Sequence, residues 1–171
     1  MATATTAPQA HPSIDDPRFT LEGSIARHQD TVLLLARLAL AYIFIESAIN
    51  HAMNLAGFAA TFKNFQLPEA LGIPAAALGV VVELLGGIAV ALGYRVRETA
   101  ILMIVFLFVT IFIGHRFWEF EGAARRLHVI QIKKNVAIIG GFLAVLVCGG
   151  GRFALSAWFA QRTTGQAGRA A

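Results

Sequence analysis

Between residues 31 and 151 the chain passes through four apolar stretches of about 16–22 residues, separated by polar links. A helix rises about 1.5 Å per residue, so each stretch is long enough, or nearly so, to cross a hydrocarbon core of about 30 Å. In lipid every backbone amide must be satisfied within its own segment, which leaves the helix as the form such a stretch takes. Composition agrees: 57% of the 171 residues are hydrophobic, 14% are charged, and the mean hydropathy is +0.66. An average soluble domain carries about 25% charge. These features exclude a soluble globular enzyme, a disordered chain and a disulfide scaffold. They predict an all-α membrane protein, a four-transmembrane-helix bundle whose first partner is the lipid bilayer.

The first membrane helix is predicted over about Asp30–Met53, the second over Ile73–Tyr94, the third over Thr99–Phe117 and the fourth over Val129–Gly150. Pro74 falls in the first turn of the second helix, where a missing N–H costs nothing. Tyr94–Glu98 is a tight link, so the second and third helices form an antiparallel hairpin. Asn54–Gly72, with Phe58, Phe62, Phe65 and Leu67, is expected to lie on the bilayer surface. Trp118–His128 reads as a charged loop, and Arg152–Ala160 as an interfacial amphipathic turn. Residues 1–24, with Pro8, Pro12 and Pro17, read as a disordered tail, 25–160 as the membrane domain, and 161–171 as a second disordered tail. The first 30 residues lack the basic-then-apolar order of a cleavable signal, so the first apolar run is expected to direct insertion uncleaved.

The net charge is +4 and the pI is near 9.8, yet the basic residues flank apolar runs instead of forming a stripe. That pattern anchors helix ends at headgroups and argues against nucleic acid. With four spans both termini share a side. Arg18, Arg27, Arg95, Arg97, Arg152, Arg162 and Arg169 lie there, against Lys63, Arg116, Arg125, Arg126, Lys133 and Lys134 on the other. The slight excess leans toward cytoplasmic termini. The one cysteine, Cys148, permits neither an internal disulfide nor a C-x-x-C pair and reads as a packing residue.

An ionisable side chain at the centre of a span costs about 2.5–3.5 kcal/mol and is therefore a functional candidate. The candidates are Arg37 and Glu46 in the first helix, Glu83 in the second, and Lys133 and Lys134 opening the fourth. Asn50, His51, His115 and Asn135 accompany them. Topology places Glu46, Asn50, His51, His115, Lys134 and Asn135 at similar depth, where the first and third helices end. Glu83, ten residues into its helix, lies about 15 Å deeper, and Arg37 lies toward the opposite surface. At about 100° per residue, Ala48 and His51 fall within about 40° of Arg37, while Glu46 lies about 180° away with Asn50 beside it. An inward Arg37–His51 face thus turns Glu46 and Asn50 outward, toward lipid, a partner subunit or a second copy. Gly79, Glu83 and Gly86 form a small-residue ridge that admits a close neighbour.

Plainer roles stand beside these. Glu83 locks the bundle as an ion pair or neutral acid; Arg37, Lys133 and Lys134 snorkel to the interface. His115 joins Arg116, Phe117 and Trp118 in an interfacial belt. His51 and His115 lack the spacing that marks a haem or metal site, so neither group is assigned.

The order of motifs resembles the DoxX family of four-helix bacterial and archaeal membrane proteins. It comprises Arg37, the polar Ser47–His51 patch, Gly72-Ile73-Pro74, Glu83-Leu84-Leu85-Gly86-Gly87 and Leu92-Gly93-Tyr94-Arg95. It continues through His115-Arg116-Phe117-Trp118 and Lys134-Asn135 to the Gly-rich end Gly149–Arg152. The resemblance spans about residues 30–158. This chain has Ala48 and His51 where many relatives carry Gly and then Lys, and Glu46 where an apolar residue is usual. The family implies a small subunit of a quinone-linked redox complex in the bacterial inner membrane, as in quinol oxidase or thiosulfate:quinone oxidoreductase, without a cofactor of its own.

On that basis Glu83 and His115 are the candidate catalytic proton donors. Arg37, His51, Lys134, Asn135 and Trp118 are the candidate quinone-binding residues, with Phe106–Phe117 lining a flat slot. Glu46 and Asn50 are the candidate docking face for a redox enzyme, another membrane subunit or a second copy. A non-catalytic anchor or assembly factor is the alternative, followed by a small transporter or lipid-binding protein.

Overall fold

The computed structural model describes residues 21–62 and 68–167. The expected tail over residues 1–20, and Lys63, Phe65 and Leu67, fall outside the described residues. Among the described residues six α-helices follow one another: α1 Leu21–Met53, α2 Leu55–Ala60, α3 Glu69–Leu92, α4 Val96–Gly114, α5 Gly122–Cys148 and α6 Leu155–Ala167. A 3₁₀ turn, Phe117–Glu119, lies between α4 and α5. Helices α1, α3, α4 and α5 are each long and apolar enough to cross a membrane. The four-helix membrane bundle expected from the sequence is the one that forms.

Helix ends differ from those expected, and for one reason. Hydropathy marks where lipid ends, whereas a helix ends where its hydrogen bonds do. Thus α1 is already helical at Leu21, well before the expected start near Asp30. Likewise α5 begins at Gly122, so most of the expected Trp118–His128 loop is helix. Pro68, extended at φ −50° and ψ 137°, starts α3 at Glu69, which puts Pro74 inside the helix instead of in its first turn. Residues 161–167 are helical, within α6. The α3–α4 link turns on Gly93 and Arg95, both left-handed, with φ of 72° and 41°.

Helix α1 packs chiefly on α3, and α4 on α5. Small residues on α3 set these distances. A Cβ at Gly87 would lie 2.9 Å from Ile45 Cγ1 and 3.3 Å from the Ala41 carbonyl oxygen, and one at Gly86 would run into Met103 of α4. The dense core (Ala41, Phe44, Val90, Ala100, Met103 and Phe142 among others) fills the end nearer the α3–α4 link. There the Phe44 and Phe142 rings sit 5.6 Å apart.

Arg37 corrects the expectation that it snorkels: it is fully buried. Its Nη1 donates to the carbonyls of Val90 (3.3 Å) and Ala91 (3.2 Å), and its Nη2 to that of Phe153 (3.4 Å). The last turn of α3 offers carbonyl oxygens that can take a further donor, although the Gly93 N–H already reaches that of Val90 at 3.1 Å, and it offers the negative end of a dipole, closer to hand than any headgroup. Gly93 makes the fit possible, since a Cβ there would run into Nη1. Ser156 adds a hydroxyl bond of 2.9 Å to the Gly93 carbonyl, which pins α6 to the same spot. Cys148, expected as a packing residue, is exposed at the end of α5.

Candidate functional site

At the other end of the bundle the same four helices enclose a cavity of about 540 Å³, within the range of small-molecule sites. Most of its wall is apolar, including Phe44, Phe106, Leu107 and Ile138, and α2 with the turn after it closes one end through Phe58 and Phe62. Polar groups enter from two sides.

On the first side, Glu83 of α3 is 5% exposed and points toward α1. Ser47 and His51 stand four residues apart on α1 and so share a face. The Ser47 hydroxyl donates to Glu83 Oε1 at 3.2 Å, and His51 Nδ1 lies 2.9 Å from Glu83 Oε2. With Nδ1–H donating to the carboxylate, Nε2 is the imidazole's remaining polar atom. Phe58 of α2 stacks on the His51 ring with centroids 3.7 Å apart and an interplanar angle of 1°. Asn54 holds α2 in place, its Oδ1 accepting the Gly57 N–H at 3.0 Å. The segment expected to lie on the bilayer surface therefore positions a cavity histidine.

On the second side, α4 and α5 bring His115, Gln131, Lys134 and Asn135 to the opposite wall, with Asn135 4% exposed. The His115 Nδ1 is buried without a hydrogen-bond partner in the protein, and so is that of His128. Their ring centroids are 5.9 Å apart, and Phe120 stacks on His128 at 4.2 Å. A smaller cavity of about 160 Å³, lined by Arg116, Glu119 and His128, shares Thr61, Ile113 and Gly114 with the larger one. Buried polar atoms of this kind are ordinarily satisfied by water or a ligand.

The structure thus brings Glu83, His51, His115, Lys134 and Asn135 around one cavity. Glu46 also reaches its rim, exposed and hydrogen-bonded to Asn50 one turn on. Two candidate quinone-binding residues do not join them. Arg37 is spent on the α3 C-terminus at the far end of the bundle. Trp118 is 53% exposed in the 3₁₀ turn, edge-on to Phe117. Among the described residues no group of three or more His, Cys, Asp or Glu is placed to hold a metal ion. Sequence reading missed His128 and Gln131 because it took their segment for loop and helix start. The spacing His128, Gln131, Asn135 marks one helix face and could have found them.

The DoxX family profile matches residues 32–116, from the body of α1 to just past α4. The inner membrane protein YphA of Escherichia coli K12 is 36% identical over 128 residues, which is 72% of this chain and 87% of that protein. This chain belongs to the DoxX family. A second relative, the inner membrane protein YqjF of Escherichia coli K12, is 30% identical over 129 residues, 74% of this chain and 91% of its own. No solved structure matches. The part matched by the DoxX profile contains Ser47, His51, Glu83 and His115, while Lys134 and Asn135 lie beyond it.

Proposed function

We propose that this DoxX protein is the membrane subunit of a quinone-linked redox complex, with the quinone headgroup held in the α1–α3–α4–α5 cavity. The observation that carries the reading is Glu83, a carboxylate buried in the hydrocarbon zone and bonded to Ser47 and His51 on the wall of an apolar cavity. A carboxyl group in a span is costly and marks a ligand or proton site. A quinone is a flat apolar ring with two carbonyl oxygens that accept hydrogen bonds, and its reduction takes up two electrons and two protons. The aromatic and aliphatic walls fit the ring. Lys134, Asn135 and His115 on one wall supply donors for the quinone oxygens, while Glu83 and His51 stand on the other. Glu83 and His51 share a proton between Oε2 and Nδ1 and form a unit able to release one.

The electrons come from a partner enzyme docked on the outer face of α1, where Glu46 and Asn50 lie exposed. The relatives' inner membrane location and the excess of basic residues on the terminal side favour an inner membrane protein with both termini in the cytoplasm.

The test is a titration of the purified protein in nanodiscs with decylubiquinone. Saturable binding is expected, weakened about tenfold or more in Glu83→Gln while the melting curve stays in place. Absence of saturable binding by the wild type overturns the quinone reading. Co-purification of a redox enzyme without such binding then assigns the protein the role of an anchor.

A further inference from the structure

Residues that line the cavity and are also exposed mark its rim: Thr61 just beyond α2, and two unlike sides between the membrane-crossing helices. Between α1 and α5 it carries Glu46 and Lys134. Between α3 and α4 it carries Leu78 and Val109, which are 65% and 46% exposed. Helices α3 and α4 touch closely where Gly86 meets Met103. Leu78 lies eight residues back along α3 and Val109 six residues on along α4, so the two sit at similar depth, about 9–12 Å from that contact. Both belong to membrane-crossing segments, so this side of the rim opens onto acyl chains.

We infer that the gap between Leu78 and Val109 is a lateral portal, through which the cavity takes a membrane-resident amphiphile whose headgroup rests at Glu83 and His51 and whose tail runs out between α3 and α4 into the bilayer. The inference rests on the quinone reading of the cavity and adds the ligand's class and orientation. A volume of about 540 Å³ holds a headgroup-sized molecule but not a long isoprenoid chain as well, so a natural quinone must leave its tail outside. Between the membrane-crossing helices the tail has two exits. Past Glu46 and Lys134 it would strip a carboxylate and an ammonium of polar contacts and offer none in return. Past Leu78 and Val109 it exchanges lipid for side chains of the same polarity. The polar exit between α1 and α5 is thereby left to the docking face on α1.

Two probes separate tail from headgroup: decylubiquinone, and the same dimethoxy-methyl-benzoquinone ring without a tail. Both are titrated against wild type, Leu78→Trp, Val109→Trp and Leu102→Trp in nanodiscs. Leu102 lies on the same face of α4, two turns away and outside the cavity. The portal predicts that Trp at position 78 or 109 weakens decylubiquinone about tenfold, with the tailless ring changed less than about twofold and Leu102→Trp neutral. Equal loss of both probes, or no loss of either, overturns the portal and leaves the quinone site standing. Failure of both probes on the wild type overturns the site and the portal together.

Because a Trp variant can misfold, the wild type is also labelled with a decylubiquinone analogue bearing a diazirine at the tail end. Crosslinks to α3 and α4 peptides around Leu78 and Val109 support the portal; crosslinks to α1 and α5 peptides around Glu46 and Lys134 overturn it.

Discussion

Arg37 and Glu83 are both buried charged side chains in a membrane bundle, and the protein treats them in opposite ways. Arg37 spends its guanidinium on backbone carbonyls of α3 and the segment before α6, at the end of the bundle away from the cavity. Glu83 meets only side chains, Ser47 and His51, and stands on the wall of a cavity. The difference separates a structural charge from a chemical one. Backbone acceptors are fixed and leave the cation nothing to do except hold the helices together. A carboxylate held by a hydroxyl and an imidazole can exchange both its proton and its partner. Burial alone, which the two share, does not tell them apart.

The comparison can be broken at several points. The largest effect is expected from Arg37→Met, which takes the guanidinium from the Val90, Ala91 and Phe153 carbonyls. It should lower stability by about 2–4 kcal/mol, read as reduced resistance to thermal or detergent unfolding. Quinone affinity of the fraction that stays folded should not change. A fully stable Arg37→Met would end the structural reading. Gly93→Ala comes next, at about 1–3 kcal/mol, because it places a Cβ at φ 72° beside Nη1. Combined with Arg37→Met it should be less than additive, because the two share one contact.

At the other end the effects should fall on binding. His51→Ala should weaken quinone by about 1–2 kcal/mol, and the His51→Ala/Glu83→Gln pair should be no worse than the stronger single variant if the two act as a unit. Additive losses would show that they act separately. Phe58→Leu removes only the ring stacked on His51 and should weaken quinone by about 0.5–1.5 kcal/mol. The smallest effect belongs to Glu46→Ala, expected within about 0.5 kcal/mol of wild type in stability and neutral for quinone. Its readout is loss of the co-purifying partner in a pull-down from native membranes.

Much of the site was legible before the fold. Helical angle put His51 on the inward face of α1, and topology put His115, Lys134 and Asn135 at the same end; the same angle turned Glu46 outward, yet it reaches the cavity rim. Four-helix order also told which end that was. What angle and depth could not supply was the pairing itself. Glu83 was expected well below His51, yet their side chains meet at 2.9 Å, because Gly87 lets α1 lie close on α3. Arg37 was misread for a related reason. Its acceptors, Val90, Ala91 and Phe153, are 53, 54 and 116 residues away, and no local pattern signals a cation matched to a distant helix end.

The sequence by itself determined that this chain spans a membrane, how many times, and which polar residues share an end. Those follow from hydropathy, from helix length against bilayer thickness and from the angle between residues, all of them local or additive along the chain. Only the tertiary structure decided that Arg37 is a staple, that Trp118 stands apart, that His128 faces His115, and that the cavity rim is polar on one side and apolar on the other. Each of these depends on which helices touch and where they part. That is set by the few glycines of α3 and the side chains opposite them, whose partners become neighbours only when the bundle closes.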